Sequence, residues 1–350
     1  MTTSSIHLYH SGIENPPEGQ SNFARLKFSN LDSDGFSNIT RDALNSRFAE
    51  TNCDYMGFLE SPQTIDQSFF NQLNDLELNP DQKGVYFLPF SESSLFVNAW
   101  ETLPTVAASL AMNPLHHSAV LIRKTDFNTL NNLEESSTPL WQTLILLAQA
   151  GVPSQLIKPS VSSKDDLSSV GFPELAPENP GPDQDWLLHL LRAYEPALDL
   201  PSITSQADAT ALKAGLFCIH DYLDESHQYS QSVQNQGIHR AGDYWHHIMH
   251  RREPDYSNAK YWSRAVGYHP LQDILPDVVG NLFNLEGSVS VEDWKDRLLQ
   301  NNRWSLNTFV DCCAECEATH DPELNRFAQT IQWIEMQLLL QKTSQDAVRG

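Results

Sequence analysis

The chain has 350 residues, enough for two domains with separate cores, and its 40% hydrophobic and 19% charged content is that of a globular protein. A formal net charge of -23 argues against nucleic acid, whose binding rests on Lys and Arg neutralising phosphates, and equally against an anionic membrane surface. The start carries no secretory signal pattern, no stretch reaches the roughly 18 apolar residues of a membrane span, and five cysteines, three of them bunched at Cys312, Cys313 and Cys316, do not form a secreted disulfide pattern, so a cytoplasmic protein is expected.

Residues 1–37 are polar and offer one short strand, near Ile6–Tyr9 or Leu26–Phe28. A helical period follows over Arg41–Thr51, through Ala43, Leu44, Phe48 and Ala49. Asp54–Leu59, Gly84–Pro89 and Ser118–Ile122 are short apolar runs of strand type. Asp66–Leu76 and Thr138–Ala150 have helical spacing, the second ending at Gly151. Strands alternating with helices predict an α/β layer domain over residues 1–157.

The order of these elements, through ALNSRFAETNCDYMGFLESPQTI, GVYFLPF and SAVLIRKTDFNTLNNLEESSTPLWQTLILLAQAGVPSQLIKP, resembles a family-2 glycosyltransferase domain of the GT-A type. The resemblance covers about a third of the chain. It implies a mixed sheet with flanking helices, a nucleotide-sugar ligand, and a divalent metal held by a D-x-D motif through carboxylate oxygens. At that motif this chain reads Glu60-Ser61-Pro62, which leaves Glu60 as the one carboxylate of a degenerate metal motif. The acidic pair expected around Pro139–Gln142 is absent, with Glu134 and Glu135 upstream, and the N-terminal strand and loop of a nucleotide site are not evident. The expectation is a glycosyltransferase-like domain without transferase activity. An active nucleotide-sugar transferase with a relaxed metal site is the alternative.

Lys158–Asp185 is dense in Pro, Ser, Asp and Glu and reads as an acidic linker that cannot bury enough apolar area to order itself. Residues 186–350 show helical spacing only: Trp186–Tyr194, Ala207–Tyr229, Asp243–Glu253, Ser257–Val266, Leu271–Phe283, Val291–Gln300, Asn307–Thr319 and Pro322–Thr343. Asp255 is a predicted N-cap and Gly267 a predicted stop, Asp321 caps with Pro322 at N1, and Ser290 with Asp293 approximates a capping box. An all-α domain is expected.

That domain carries the candidate chemistry. Asp243–Pro270 holds four of the thirteen histidines and two of the eight tryptophans. On the predicted helix Ala207–Tyr229, His220, Asp224 and His227 share a face at i, i+4, i+7; on the next, Asp243, His246, His250 and Glu253 do. Imidazole with carboxylate suits Zn, Fe or Mn, which makes Asp224, His227, Asp243, His246 and His250 candidate ligands of a divalent metal. Arg251, Arg252, Asn258, Lys260 and Trp262 are candidates for a small anionic ligand, because guanidinium forks match carboxylate or phosphate and aromatic faces stack. Glu335 falls on an apolar side of its helix and needs an Arg or His partner from the hairpin. Cys312, Cys313 and Cys316 are read as buried small hydrophobes.

The run Trp245-His246-x-Ile248-Met249-His250-Arg251-Arg252-Glu253-x-Asp255-x-x-Asn258-Ala259-Lys260-Tyr261-Trp262 resembles a family of uncharacterised bacterial proteins with the motif W-H-x-I-M-H-R-R-E-x-D-x-x-N-A-K-Y-W. The resemblance spans about Ala207–Leu340 and brings no activity with it. Its variable position falls at His247, which marks His247 as the least essential of the three histidines. Whether the chain is an enzyme stays open at this point: a ligand- or metal-binding helical domain, a transferase, and a structural or partner-binding protein are the three readings.

Overall fold

The computed structural model describes residues 5–11, 26–30, 46, 49, 51–60, 67–76, 78, 84–90, 95–127, 139–157, 172–178, 180, 184–282, 288–300 and 302–349. It divides into two compact units, Met1–Glu101 with Thr105–Val170, and Thr102–Pro104 with Gly171–Gly350. The first is α/β and the second all-helical.

The α/β unit is built on a six-stranded sheet with strands β1 (Ile6–Ser11), β2 (Leu26–Asn30), β3 (Tyr55–Glu60), β4 (Val85–Pro89), β5 (Ser118–Arg123) and β6 (Ser154–Leu156). Their order is β2-β1-β3-β5-β4-β6. β5 runs antiparallel to β3 and β4, while the other pairings are parallel. Val85–Pro89 is buried at every position, as expected of a strand covered on both faces. One face packs Tyr55, Tyr86 and Leu121 with Phe69, Phe70 and Leu73 of α1 (Gln67–Asp75). On β4, Phe87 packs against Phe96 and Trp100 of α2 (Leu95–Thr102), with ring centroids 6.0 and 4.3 Å away. Helices α3 (Thr105–Ala111), α4 (Lys124–Phe127) and α5 (Leu140–Gln149) complete the unit.

Here the sequence expectation needs correcting. Both N-terminal segments are strands, β1 and β2, where the sequence offered one. The register of β1 places Ser11 opposite Glu60. The predicted helix Arg41–Thr51, the residues Ser61 and Pro62, and Glu134 and Glu135 lie outside the described residues, apart from helical positions 46 and 49 and Thr51, which is not helical.

The helical unit contains α6 (Asp185–Ala193), α7 (Pro196–Asp199), α8 (Gln206–Ile219), α9 (Leu223–Ser232), α10 (Ala241–Arg252), α11 (Tyr256–Val266), α12 (Leu271–Leu282), α13 (Val289–Leu299), α14 (Leu306–Thr319) and α15 (Pro322–Val348). The central element is α10, of which every residue is buried. Gly215 on α8 permits its close approach, since a Cβ there would stand 2.5 Å from the Trp245 ring.

The predicted helix Ala207–Tyr229 is two helices. The chain breaks at His220–Tyr222, with Asp221 at φ +68°, a conformation Asp tolerates better than most residues. Asp221 then accepts from Arg252 Nη2 at 2.5 Å, which gives the break a purpose in packing. Asp255 caps α11 by accepting from Asn258 N at 3.1 Å, and the helix ends at Gly267, φ +64°. Asp321 caps α15 through Glu323 N and Leu324 N, with Pro322 in the first turn. The cap of α13 is Ser288, not Ser290.

Most of the predicted linker lies outside the described residues. Its described segment 172–178 is docked on the helical unit: Phe172 is buried under Arg326, 4.3 Å from ring centroid to guanidinium carbon. The Glu174 carbonyl accepts from Arg252 Nη2 at 3.0 Å and from Gln332 Nε2 at 3.2 Å. One apolar ring and one well-used carbonyl were enough to override the polar composition. Among the described residues, no helix is long and apolar enough to cross a membrane.

Candidate metal site

Histidines His246 and His250 stand one turn apart on α10, and the hairpin through α9 brings His227 against them. Ring centroids are 4.8 Å apart for His246–His250, 4.7 Å for His227–His246 and 5.5 Å for His227–His250. One nitrogen from each ring lies within 4.8 Å of the other two. Tetrahedral zinc with Zn–N of about 2.0–2.1 Å separates its nitrogen ligands by about 3.4 Å. Closing the widest separation by about 1.4 Å would bring the three nitrogens to that spacing.

The surroundings prepare these rings as ligands. The indole of Trp262 on α11 stacks on His246 at 3.7 Å. His246 is 1% exposed, and neither of its ring nitrogens has a hydrogen-bond partner. A buried imidazole with both nitrogens unpaired is costly, by about 1–3 kcal/mol, and calls for a partner. Burial, reinforced by His250 and His227, lowers the His246 pKa to about 3. Burial also lowers that of His250, against the pull of Glu253. Neutral imidazole is the form that binds metal.

His250 Nδ1 pairs with Glu253 Oε2 at 2.9 Å. A carboxylate on one ring nitrogen fixes the tautomer and raises the basicity of the other. That other nitrogen, Nε2, is met by Asn258 Nδ2 at 3.1 Å. Asn258 and Trp262, expected to serve an anion, thus belong to the histidine cluster.

The remaining candidates are engaged elsewhere. Asp243 is buried and its two carboxylate oxygens each accept from Asn235 N at 3.1 Å, so it holds the turn before α10. Asp224 is exposed; neither aspartate belongs to the three-histidine group. The face predicted to join His220, Asp224 and His227 does not form, because the helix breaks at Asp221.

Arg251 and Arg252 are fully buried and paired inside the unit. Arg251 Nη2 meets Glu335 Oε2 at 2.6 Å, and its guanidinium lies over Phe309 at 4.4 Å. The Tyr244 hydroxyl donates to Glu335 Oε1 at 2.8 Å. Burial opposes the charge on Arg251, and Glu335 outweighs it, holding the guanidinium pKa above its ordinary value. Arg252 bonds Asp221 and the carbonyls of Cys218 and Glu174. Lys260 is half-exposed and bridges to Asp311. The expected arginine site for a small anion is not exposed: both guanidiniums are buried, with Arg251 Nη2 and the two terminal nitrogens of Arg252 on the protein's own acceptors, while Arg251 Nε and Nη1 and Arg252 Nε have none. Tyr244 was missed as a partner of Glu335, although it sits two turns before Arg251 on the same face of α10.

His247 lies outside the three-histidine group. It is 0% exposed, with Nδ1 bonded to the Ala259 carbonyl at 2.8 Å. Burial, with Arg251 nearby, lowers its pKa to about 3. It pins α10 to α11. Cys312, Cys313 and Cys316 are buried on α14.

No protein-family model matches this chain, and no curated protein does.

Proposed function

We propose that the helical unit binds a divalent transition-metal ion of the zinc class through His227, His246 and His250. The observation that supports this most is the convergence of three imidazoles around His246, whose two buried nitrogens lack any other partner. An all-imidazole set favours zinc, copper, iron or nickel over calcium or magnesium, which demand oxygen. Glu253 and Trp262 orient the ligands. Metal content of the purified protein after dialysis against zinc tests the reading. One zinc per chain is expected for the parent, with loss in His227→Ala and His250→Ala. A parent that retains none under these conditions sinks it.

A second reading is supported by the sheet. β1 is flanked by β2 on one side and β3 on the other, all parallel, so the chain order reverses beside β1. Ligands of open α/β sheets bind beyond the carboxyl ends of strands at such a point. Ser11 and Glu60 are register partners at those ends. This supports a nucleotide-sugar-binding, GT-A-like domain whose metal motif has shrunk to Glu60. Calorimetric titration with a UDP-sugar and manganese tests it: binding is expected without turnover, turnover would favour the active-transferase alternative, and no heat would remove the reading.

A further inference from the structure

The geometry points to a fourth coordination position at the three-histidine site that takes a small monoanion from solution. This rests on the metal reading above and specifies what that metal would bind. Among the described residues, the candidate ligating group contains three imidazoles and no carboxylate. A dication held by neutral ligands alone keeps its full charge beside the buried His246, and an uncompensated charge in such a place is costly.

The charges nearby compensate only in part. Glu253 is committed to His250 Nδ1 and contributes one negative charge from the outer side. Asp255, the N-cap of α11, is solvent-exposed and occupied with Asn258 N and Ser257 Oγ, and Glu253 is exposed as well, so water screens both. Arg251 and Arg252 are paired with Glu335 and Asp221. At least one positive charge is left, and a monoanion offsets it.

The shape of the site agrees. Trp262 walls one side against His246. His227, on α9, is the partly exposed member and marks the open side. Asn258 Nδ2 now contacts His250 Nε2. An ion arriving at that nitrogen displaces the amide, leaving its N–H donors beside the fourth position. A metal-bound water that is replaced by an anion gains both the ionic attraction and that donor. The fitting class is hydroxide, a short carboxylate, or a pseudohalide of the same charge and size.

Cobalt(II) reports this directly, because its visible d–d bands change with the fourth ligand. The full chain is loaded with cobalt(II) and titrated with sodium azide, sodium chloride serving as the ionic-strength control. A saturable one-to-one change in the bands with azide is expected. Asn258→Ala, saturated with cobalt, should bind azide about tenfold more weakly than the saturated parent, the worth of a hydrogen bond to a charged group. Cobalt bands that ignore millimolar azide overturn the inference and leave the metal reading intact. An azide response that emerges only in Asp224→Asn also overturns it, since the exposed Asp224 would then be the fourth ligand. A chain that takes up no cobalt defeats the metal reading and this inference together.

Discussion

Glu335→Gln is the most demanding test of how the helical unit is held together. Glu335 and Arg251 are both completely buried and 2.6 Å apart. The substitution keeps shape and the Tyr244 contact but removes the charge opposite Arg251. Breaking a buried pair from one side costs about 3–5 kcal/mol, because the stranded charge cannot neutralise itself. Phe309, 4.4 Å below the guanidinium, recovers only a part, since a cation–π contact is worth about 1–2 kcal/mol. Arg251→Met behaves differently. Removing the cation leaves a group that can shed its charge by binding a proton, so the deficit should be smaller than that of Glu335→Gln. The double variant Arg251→Met with Glu335→Leu should recover most of the loss, as well-packed apolar replacements of buried pairs do. Urea unfolding followed by far-ultraviolet ellipticity reads all three. A Glu335→Gln protein within about 1 kcal/mol of the parent would refute a buried, exclusive pair.

Three further outcomes are expected. His247→Ala should destabilise the helical unit by about 1–3 kcal/mol, because it unpins the Ala259 carbonyl, and should leave zinc stoichiometry at the parent value; parent-like melting would contradict its placement. Buried His269 has its pKa lowered to about 3 by burial, with His239 and Lys342 adding to it, so its stabilising contribution is complete above about pH 6.5 and falls as pH drops toward about 3, at up to about 1.4 kcal/mol per pH unit; urea midpoints that do not separate parent from His269→Asn between pH 7 and pH 5 would count against it. Gly237→Ala should destabilise by more than about 1 kcal/mol, because Gly237 has φ +85° and a Cβ would stand 2.3 Å from Asp208 Oδ1; a neutral thermal shift would show that the turn before α10 is not built this way.

Much of the architecture was legible where apolar content and period agree. β3, β4 and β5 are continuous apolar runs. Asp255 and Asp321 are side-chain caps whose partners lie two or three residues on. The pairing of His246 with His250 follows from i, i+4 spacing alone. What escaped the reading shares one physical cause: polar groups whose partners are remote in sequence. In the polar N-terminal stretch the sequence offered one strand, at Ile6–Tyr9 or Leu26–Phe28, where parallel pairing makes two. The break at Asp221 is stabilised by Arg252, 31 positions away. α10 contains three histidines and two arginines and still lies wholly inside, since each arginine finds an acceptor on another helix. Phe172 and Glu174 pack for the same reason, against Arg326 and Arg252.

This contrast between α10's two kinds of polar residue leads to the last prediction. Arg251 and Arg252 each have an ion-pair partner inside the unit, although Arg251 Nε and Nη1 and Arg252 Nε stay unpaired. His246 has no hydrogen-bond partner at either ring nitrogen. A metal ion would supply a partner, and whatever binds the folded state alone stabilises it by mass action. At a free zinc concentration 100 times the dissociation constant, the gain is about 2.7 kcal/mol. Melting of the helical unit should therefore shift upward with added zinc, continue to rise logarithmically past saturation, and return to baseline with chelator. Magnesium should do nothing, since it prefers oxygen ligands and keeps its water. His227→Ala separates this from adventitious surface binding: His227 is only partly buried, so its loss should cost the zinc-free protein little while removing the zinc-dependent rise. A zinc shift that survives His227→Ala unchanged would place the ion somewhere else and leave His246 without its partner.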